Sequence, residues 1–126
     1  MSSNYKLVFG VVVGAALGAA AIQGLHAQAK PKAYTVSELE TLDATANSAF
    51  VPLVQAAQQA AGGRNLRTGG GKIVGMEGPP PPKRVGLTEW DSLEKAEAFF
   101  KSKAFTDLPD REKAIKTIRR YAVEVN

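Results

Sequence analysis

The chain has 126 residues, with 16 Lys and Arg against 12 Asp and Glu, a formal net charge of +4, one His and no Cys. Without cysteine the fold cannot rest on disulfides. Because the single His, His26, falls in an N-terminal apolar run, the remainder also lacks the side chains of the usual zinc, haem-imidazole, Ser-His and Cys-His sites, and no metal or cofactor is expected.

The net charge is mild, and the basic residues are scattered among acidic ones with no aromatic and basic stripe, so nucleic acid is not an expected partner. After Met1-Ser2-Ser3-Asn4-Tyr5-Lys6 comes an uncharged run from Leu7 to Leu25, rich in Val, Ala and Gly. It is followed by Ala27-Gln28-Ala29, the small-x-small pattern of a signal-peptidase site. Residues 1–29 therefore read as a signal segment cut after Ala29, which directs the domain from Lys30 to Asn126 out of the cytoplasm and, in a bacterium, to the periplasm. The competing reading is an uncleaved membrane anchor, because Gly10, Gly14 and Gly18 recur every four residues as in pairing membrane helices. The run is short for a span and weakly hydrophobic, which favours cleavage. The cut removes Lys6 and no acidic residue, leaving +3. A chain of about 97 residues buries only roughly two-thirds of its unfolded surface and gains from a partner.

Taken in order, Tyr34 to Leu42 is rich in strand formers with partial alternation, which predicts a first strand with Tyr34 and Val36 on one face. Asp43 is a good N-cap, and Phe50, Leu53, Val54, Ala57 and Ala61 recur at helical spacing until Gly62-Gly63. Pro52 interrupts this pattern, so the helix either starts near it or bends there. Asn65–Thr68 and Lys72–Glu77 are strand candidates on either side of the Gly69-Gly70-Gly71 corner. That cluster lacks the Gly-Lys-Ser/Thr ending and a following helix, so it reads as a turn and not as a phosphate cradle. Pro79 to Pro82 make a stiff spacer with no donors for a sheet.

Arg84 to Trp90 alternates Val85, Leu87 and Glu89 against Arg84, Gly86, Thr88 and Trp90 and is the clearest strand. Asp91 with Glu94 forms a capping-box pattern ahead of a helix whose inward stripe is Leu93, Ala96, Phe99 and Phe100. Adjacent Phe99 and Phe100 cannot face the same way. A further helix is predicted from Pro109 to about Ile118, with Ile115 and Ile118 inward, and a final strand over Tyr121–Val125. Together these make an α+β domain of ferredoxin-like βαββαβ plan, an antiparallel sheet with helices on one face.

The residues Gly62-Gly63, Leu66-Arg67, Gly69-Gly70, Glu77-Gly78, Arg84-Val85, Glu89-Trp90-Asp91-Ser92 and the closing Tyr121, Val123 and Glu124 resemble the DUF1330 family. The resemblance covers roughly Lys32 to Asn126, and the leader is similar to those of exported alphaproteobacterial members. It implies a dimeric α+β barrel of ferredoxin-like fold and no established reaction. Members commonly carry Ser-Pro-x-Tyr after the second helix. Here the chain has Ser102-Lys103-Ala104-Phe105, so a tyrosine hydroxyl is missing. The wider fold group includes cofactor-free monooxygenases and lactone isomerases, an analogy that does not transfer function by itself.

The residues that could carry chemistry are Glu77, Glu89, Arg67, Arg84 and Trp90. If Glu89 is buried on the face of Val85 and Leu87, its pKa rises and it suits a base or acid. Otherwise it pairs with Arg67 or Arg84 or is solvated. Arg67 and Arg84 either clamp a carboxylate ligand or hold carboxylates within the protein or at a subunit contact. Trp90 reads first as a core anchor or dimer contact and second as a stacking surface for an aromatic ligand.

Three functional readings follow. The first is an exported homodimer whose sheets pack face to face around a small-molecule pocket. The second is a cofactor-independent enzyme on a small organic acid or aromatic, with Glu89 or Glu77 as base. The third is an interaction module tethered to the membrane, if the leader stays attached.

Overall fold

A computed structural model describes residues 30–126, and the expected signal segment or anchor over residues 1–29 lies outside them. The elements are β1 (Lys32–Thr41), α1 (Ala44–Ala60), β2 (Arg64–Asn65), β3 (Arg84–Trp90), α2 (Leu93–Lys101), the single turns α3 (Lys103–Thr106) and α4 (Arg111–Ala114), and β4 (Ile115–Val125). The strands form one antiparallel sheet in the order β2-β3-β1-β4, as a ferredoxin-like βαββαβ chain requires. None of the described helices is long and apolar enough to cross a membrane.

Local chemistry sets the ends of α1. Asp43 is extended and its Oδ1 accepts the Ala46 N–H at 2.7 Å, while Gly62, at φ +94°, lets the chain turn out of the helix as the Gly63 N–H returns to the Gln58 carbonyl at 2.8 Å. The helix runs through Pro52 rather than starting there. On its inner side Phe50 and Gln58 are buried, whereas Leu53, expected to face inward, is exposed. The cap of α2 is Ser92 and not Asp91: Ser92 takes the extended cap conformation and its Oγ accepts the Lys95 N–H at 3.2 Å. Asp91 is held instead by Arg64, at 2.9 Å.

One expected element is absent and two are altered. Lys72–Glu77 is not a strand, because the outer edge of β3 is already occupied. Arg64 and Asn65 pair with Glu89 and Thr88, the Leu66 N–H donates to the Leu87 carbonyl at 2.9 Å, and the Thr68 hydroxyl donates to the Val85 carbonyl. Asn65 Oδ1 then accepts the Arg67 N–H at 2.7 Å, and Arg67, at φ +57°, turns the chain out of the ladder. The proposed strand Asn65–Thr68 is thereby shortened to Arg64–Asn65.

The predicted helix from Pro109 to Ile118 ends at Ala114, and Ile115 opens an eleven-residue strand. The β-branched run Ile115, Thr117 and Ile118 finds a full edge of β1 to pair with, which outweighs its weak helical pattern. Within that ladder Glu38 faces Arg119 and Leu39 faces Thr117, so Ile118 is an extra residue, a β-bulge. The bulge reverses the alternation, so Ile115 faces the helices and is 6% exposed, while Ile118 is 52% exposed.

On the helix-covered face the rows are Trp90–Ala33–Glu124, Thr88–Thr35–Ala122 and Gly86–Ser37–Arg120. On the open face they are Glu89–Tyr34–Val123, Leu87–Val36–Tyr121 and Val85–Glu38–Arg119. Trp90 is wholly buried against Phe99, with ring centroids 5.2 Å apart, and its Nε1 donates to Thr35 Oγ1 at 3.1 Å. The core has two clusters. Leu39, Phe50, Ala114 and Ile115 form one, and Trp90, Ala96, Phe99 and Phe105 the other, with Val54 and Leu108 touching both.

Candidate functional site

Between the helix layer and the sheet lies a cavity of about 610 Å³. Leu39, Phe50 and Ile115 from one core cluster line it, as do Phe105 and the adjoining Phe100 from the other. Ser37 and Gly86 lie side by side on the sheet beneath it, where larger residues would fill the space. A Cβ placed on Gly86 meets nothing nearer than Ser37 Cβ at 3.7 Å. This is the helix side of the sheet, within one chain, and not the open face expected to enclose a pocket against a partner.

Two arginines on the sheet line this cavity. Arg84, from β3, donates to Asn47 Oδ1 at 2.7 Å and Thr41 Oγ1 at 3.3 Å. Arg120, from β4, donates to Ser37 Oγ at 2.8 Å, and its guanidinium carbon stands 4.5 Å from the Phe100 ring centre and 5.0 Å from that of Phe105. All of these partners are neutral. Burial lowers the pKa of Arg84. For Arg120, burial and then the nearby charge of Arg111 lower it to about 10, which leaves it cationic at neutral pH. The third notable group is Gln58, on α1, which is 9% exposed and whose Oε1 is buried with no hydrogen-bond partner.

The residues singled out from the sequence divide between this cavity and other places. Arg67 and Arg84 both line it, Arg67 from the loop after β2. Trp90 is a core residue beneath the helices. Glu77 is exposed in the irregular connection before β3.

Glu89 shares the face of Val85 and Leu87, but its pKa is not raised. Lys32 at 3.1 Å, Tyr34 at 2.9 Å and Arg64 at 2.7 Å all donate to its carboxylate and draw it down to about 2. It is a charged anchor, paired with Lys32 and Arg64 rather than with Arg67 or Arg84. In return Glu89 raises the pKa of the Tyr34 phenol by accepting its hydrogen bond.

Arg120 and Gln58 were not among the residues picked out from the sequence. Extending the alternation of Tyr121, Val123 and Val125 back by one strand residue puts Arg120 on the opposite, inner side, a signal hidden by ending a helix at Ile118. Gln58 carries no comparable signal, since a Gln among alanines on a helix reads as solvated surface.

Residues 32–125 match the family model described as a domain of unknown function, DUF1330. The chain belongs to the DUF1330 family. Among curated proteins none matches it. The DUF1330 fold is shared with a crystal structure of methylated RPA0582 protein at a TM-score of 0.58 and 11% identity, covering 84% of this chain and 90% of that one. A second RPA0582 structure, of a protein of unknown function from Rhodopseudomonas palustris, aligns at a TM-score of 0.56 and 11% identity over 83% of this chain and 89% of its own. At that identity the likeness is one of architecture, and the chemistry of this DUF1330 cavity has to be read from its own residues.

Proposed function

We propose that this DUF1330 protein is a homodimeric binding protein that takes a small organic molecule into the cavity between its helices and its sheet. The observation that carries this reading is the cavity itself. Residues of both core clusters line an open volume of about 610 Å³, within the roughly 300–1,000 Å³ of small-molecule sites. Its walls combine the rings of Phe50, Phe100 and Phe105 with polar side chains in comparable share, among them Asn47, Arg84 and Arg120.

The open sheet face supports the dimer. Tyr121, Val123 and Val125 are about half exposed there, beside Tyr34, Val36 and Leu87, and the ion pairs of Glu89 and of Glu38 with Arg119 border the apolar centre. Two copies related by a two-fold axis would cover this surface with itself. The reading also includes export, with the leader cut after Ala29.

The test is a titration of the isotope-labelled protein with a set of small neutral and charged organic compounds, read by amide chemical shifts. The expected result is shifts confined to the cavity lining that disappear in Gly86→Leu, whose side chain enters the cavity. A set that leaves those amides still at about 10 mM, a concentration that detects even millimolar affinity, removes the reading. Sedimentation at micromolar concentration tests the pairing of sheets. A dimer is expected, with Val36→Asp dissociating it, and a monomeric parent protein refutes that part.

A further inference from the structure

We propose that the cavity selects small organic acids, binding a monocarboxylate through Arg120 alone while the aromatic or branched apolar body of the ligand lies against the phenylalanines. This rests on the reading of the cavity as a binding site and adds the chemical class of its occupant.

The charge of the lining is one-sided. Arg67, Arg84 and Arg120 border the cavity, and although the chain has 12 acidic residues, no Asp or Glu is among the described residues that line it. None of these arginines is in an ion pair among the described residues, where the carboxylates are taken by Lys32, Arg64, Lys95, Lys101 and Arg119. A recess with apolar walls and charge of one sign focuses its field and concentrates the opposite sign.

Arg120 is the arginine placed to make the contact. Arg67 is exposed, and Arg84 is anchored on Thr41, four residues along β1 from Ser37, so it acts on an anion at Arg120 through the field rather than by touching it. Arg120 is half-buried and donates only from Nε, to Ser37 Oγ at 2.8 Å, which leaves its terminal N–H groups without a partner among the described residues. Phe100 and Phe105 stand 4.5 and 5.0 Å from its guanidinium carbon, and they and Ser37 all line the cavity. The plane of the fork is therefore fixed before a ligand arrives, and less ordering is lost when one binds.

Two costs fall on this cation that an anion would offset. It is partly desolvated, and the Arg111 guanidinium adds like charge from its own place 4.8 Å from the Phe105 ring centre. A planar carboxylate matches the fork. The wall of Phe50, Phe100, Phe105 and Ile115 suits an apolar body and not an inorganic anion. Gly86 and Ser37 keep the row leading to Arg120 low, since a Cβ on Gly86 meets nothing nearer than Ser37 Cβ at 3.7 Å.

The experiment uses three probes of similar shape and different charge: phenylacetate, the neutral phenylacetamide and the cationic 2-phenylethylamine. Affinities come from chemical-shift titration of the full protein and of Arg84→Met, Arg120→Met and Arg120→Lys, each first checked for folding by circular dichroism. Phenylacetate is expected to bind about tenfold more tightly than the amide, from the difference between charge-assisted and neutral hydrogen bonds, and the amine most weakly. In Arg120→Met the acid falls to the level of the amide, which keeps its own affinity. Arg120→Lys retains part of the preference, and Arg84→Met loses less of it than Arg120→Met. The Arg120 Nε–H signal of the unsubstituted protein moves with phenylacetate and far less with the amide, a reading that needs no variant to fold.

Equal affinity for acid and amide, an amine that binds as tightly as the acid, or a preference that survives Arg120→Met overturns the organic acid and leaves the cavity as a binding site. So does an Arg120 signal that stays still while the cavity amides move with phenylacetate. Silence from all three probes at about 10 mM overturns the proposal, and the broader compound set then decides on the cavity itself.

Discussion

The replacement Gly63→Ala tests the packing that roofs one half of the core. Gly63 lies three residues beyond the end of α1, and a Cβ there would stand 2.8 Å from Trp90 Cη2, 3.0 Å from Trp90 Cζ2 and 3.0 Å from Thr88 Cγ2. Carbon atoms rest at about 3.5–4.0 Å, so every one of these contacts is short by roughly half an ångström or more. The backbone is not the obstacle, because Gly63 lies outside the left-handed region. The obstacle is Trp90, which has no exposed surface, packs against Phe99 at 5.2 Å and is tied through Nε1 to Thr35. Relief must come from shifting the end of α1 away from β3.

Overpacking of this kind costs about 1–3 kcal/mol, which in a domain of this size lowers Tm by roughly 5–20 °C. Trp90→Phe withdraws the two ring atoms nearest the new methyl. In that background Gly63→Ala should cost less by at least about 0.5–1 kcal/mol, a coupling typical of residues in contact. Urea unfolding followed by far-UV circular dichroism is the assay, since Trp90 is the only tryptophan and fluorescence vanishes with it. A cost for Gly63→Ala that is negligible, or equal in both backgrounds, refutes the steric account.

Glu89 governs a pH dependence whose sign follows from its lowered pKa. Its carboxylate is held at about 2 against an ordinary 4.5, so its stabilising effect is complete above the ordinary value and is lost as pH falls toward 2. Thermal scans at stepped pH should show Glu89→Gln less stable than the parent at neutral pH and nearly level with it at the acid end. Parallel curves across the window would argue against this network. At the start of α1, Asp43→Ala should cost about 1 kcal/mol in urea unfolding, and Asp43→Asn should keep most of it, because an amide oxygen still accepts from Ala46. Equal losses in the two variants would mean that the cap is not what holds this helix end.

The features that were legible in advance depend on residues near one another in the chain. Asp43, Gly62 and the alternation from Arg84 to Trp90 each carry their physical reason within a few positions, and the α+β plan followed from their order. Ser92 against Asp91 was a closer competition between neighbouring caps, decided by the pull of Arg64 on Asp91 from another strand. Lys72–Glu77 has the composition of a strand and is not one, because Arg64 to Thr68 had already taken the edge of β3. The carboxylates that drew attention as bases stand outside the cavity, since a Glu on a strand gives no sign of which cations will gather around it.

What the sequence by itself determined is the two ends of α1, the two central strands and the α+β class, because capping, glycine turns and side-chain alternation act over a few residues. Only the tertiary structure decided which face of β4 looks inward and that Arg84, Arg120 and Gln58 border the same cavity. A single bulge at Ile118 resets the alternation of a whole strand. The three polar groups come from elements separated by tens of residues, so their meeting is a property of strand register and helix docking.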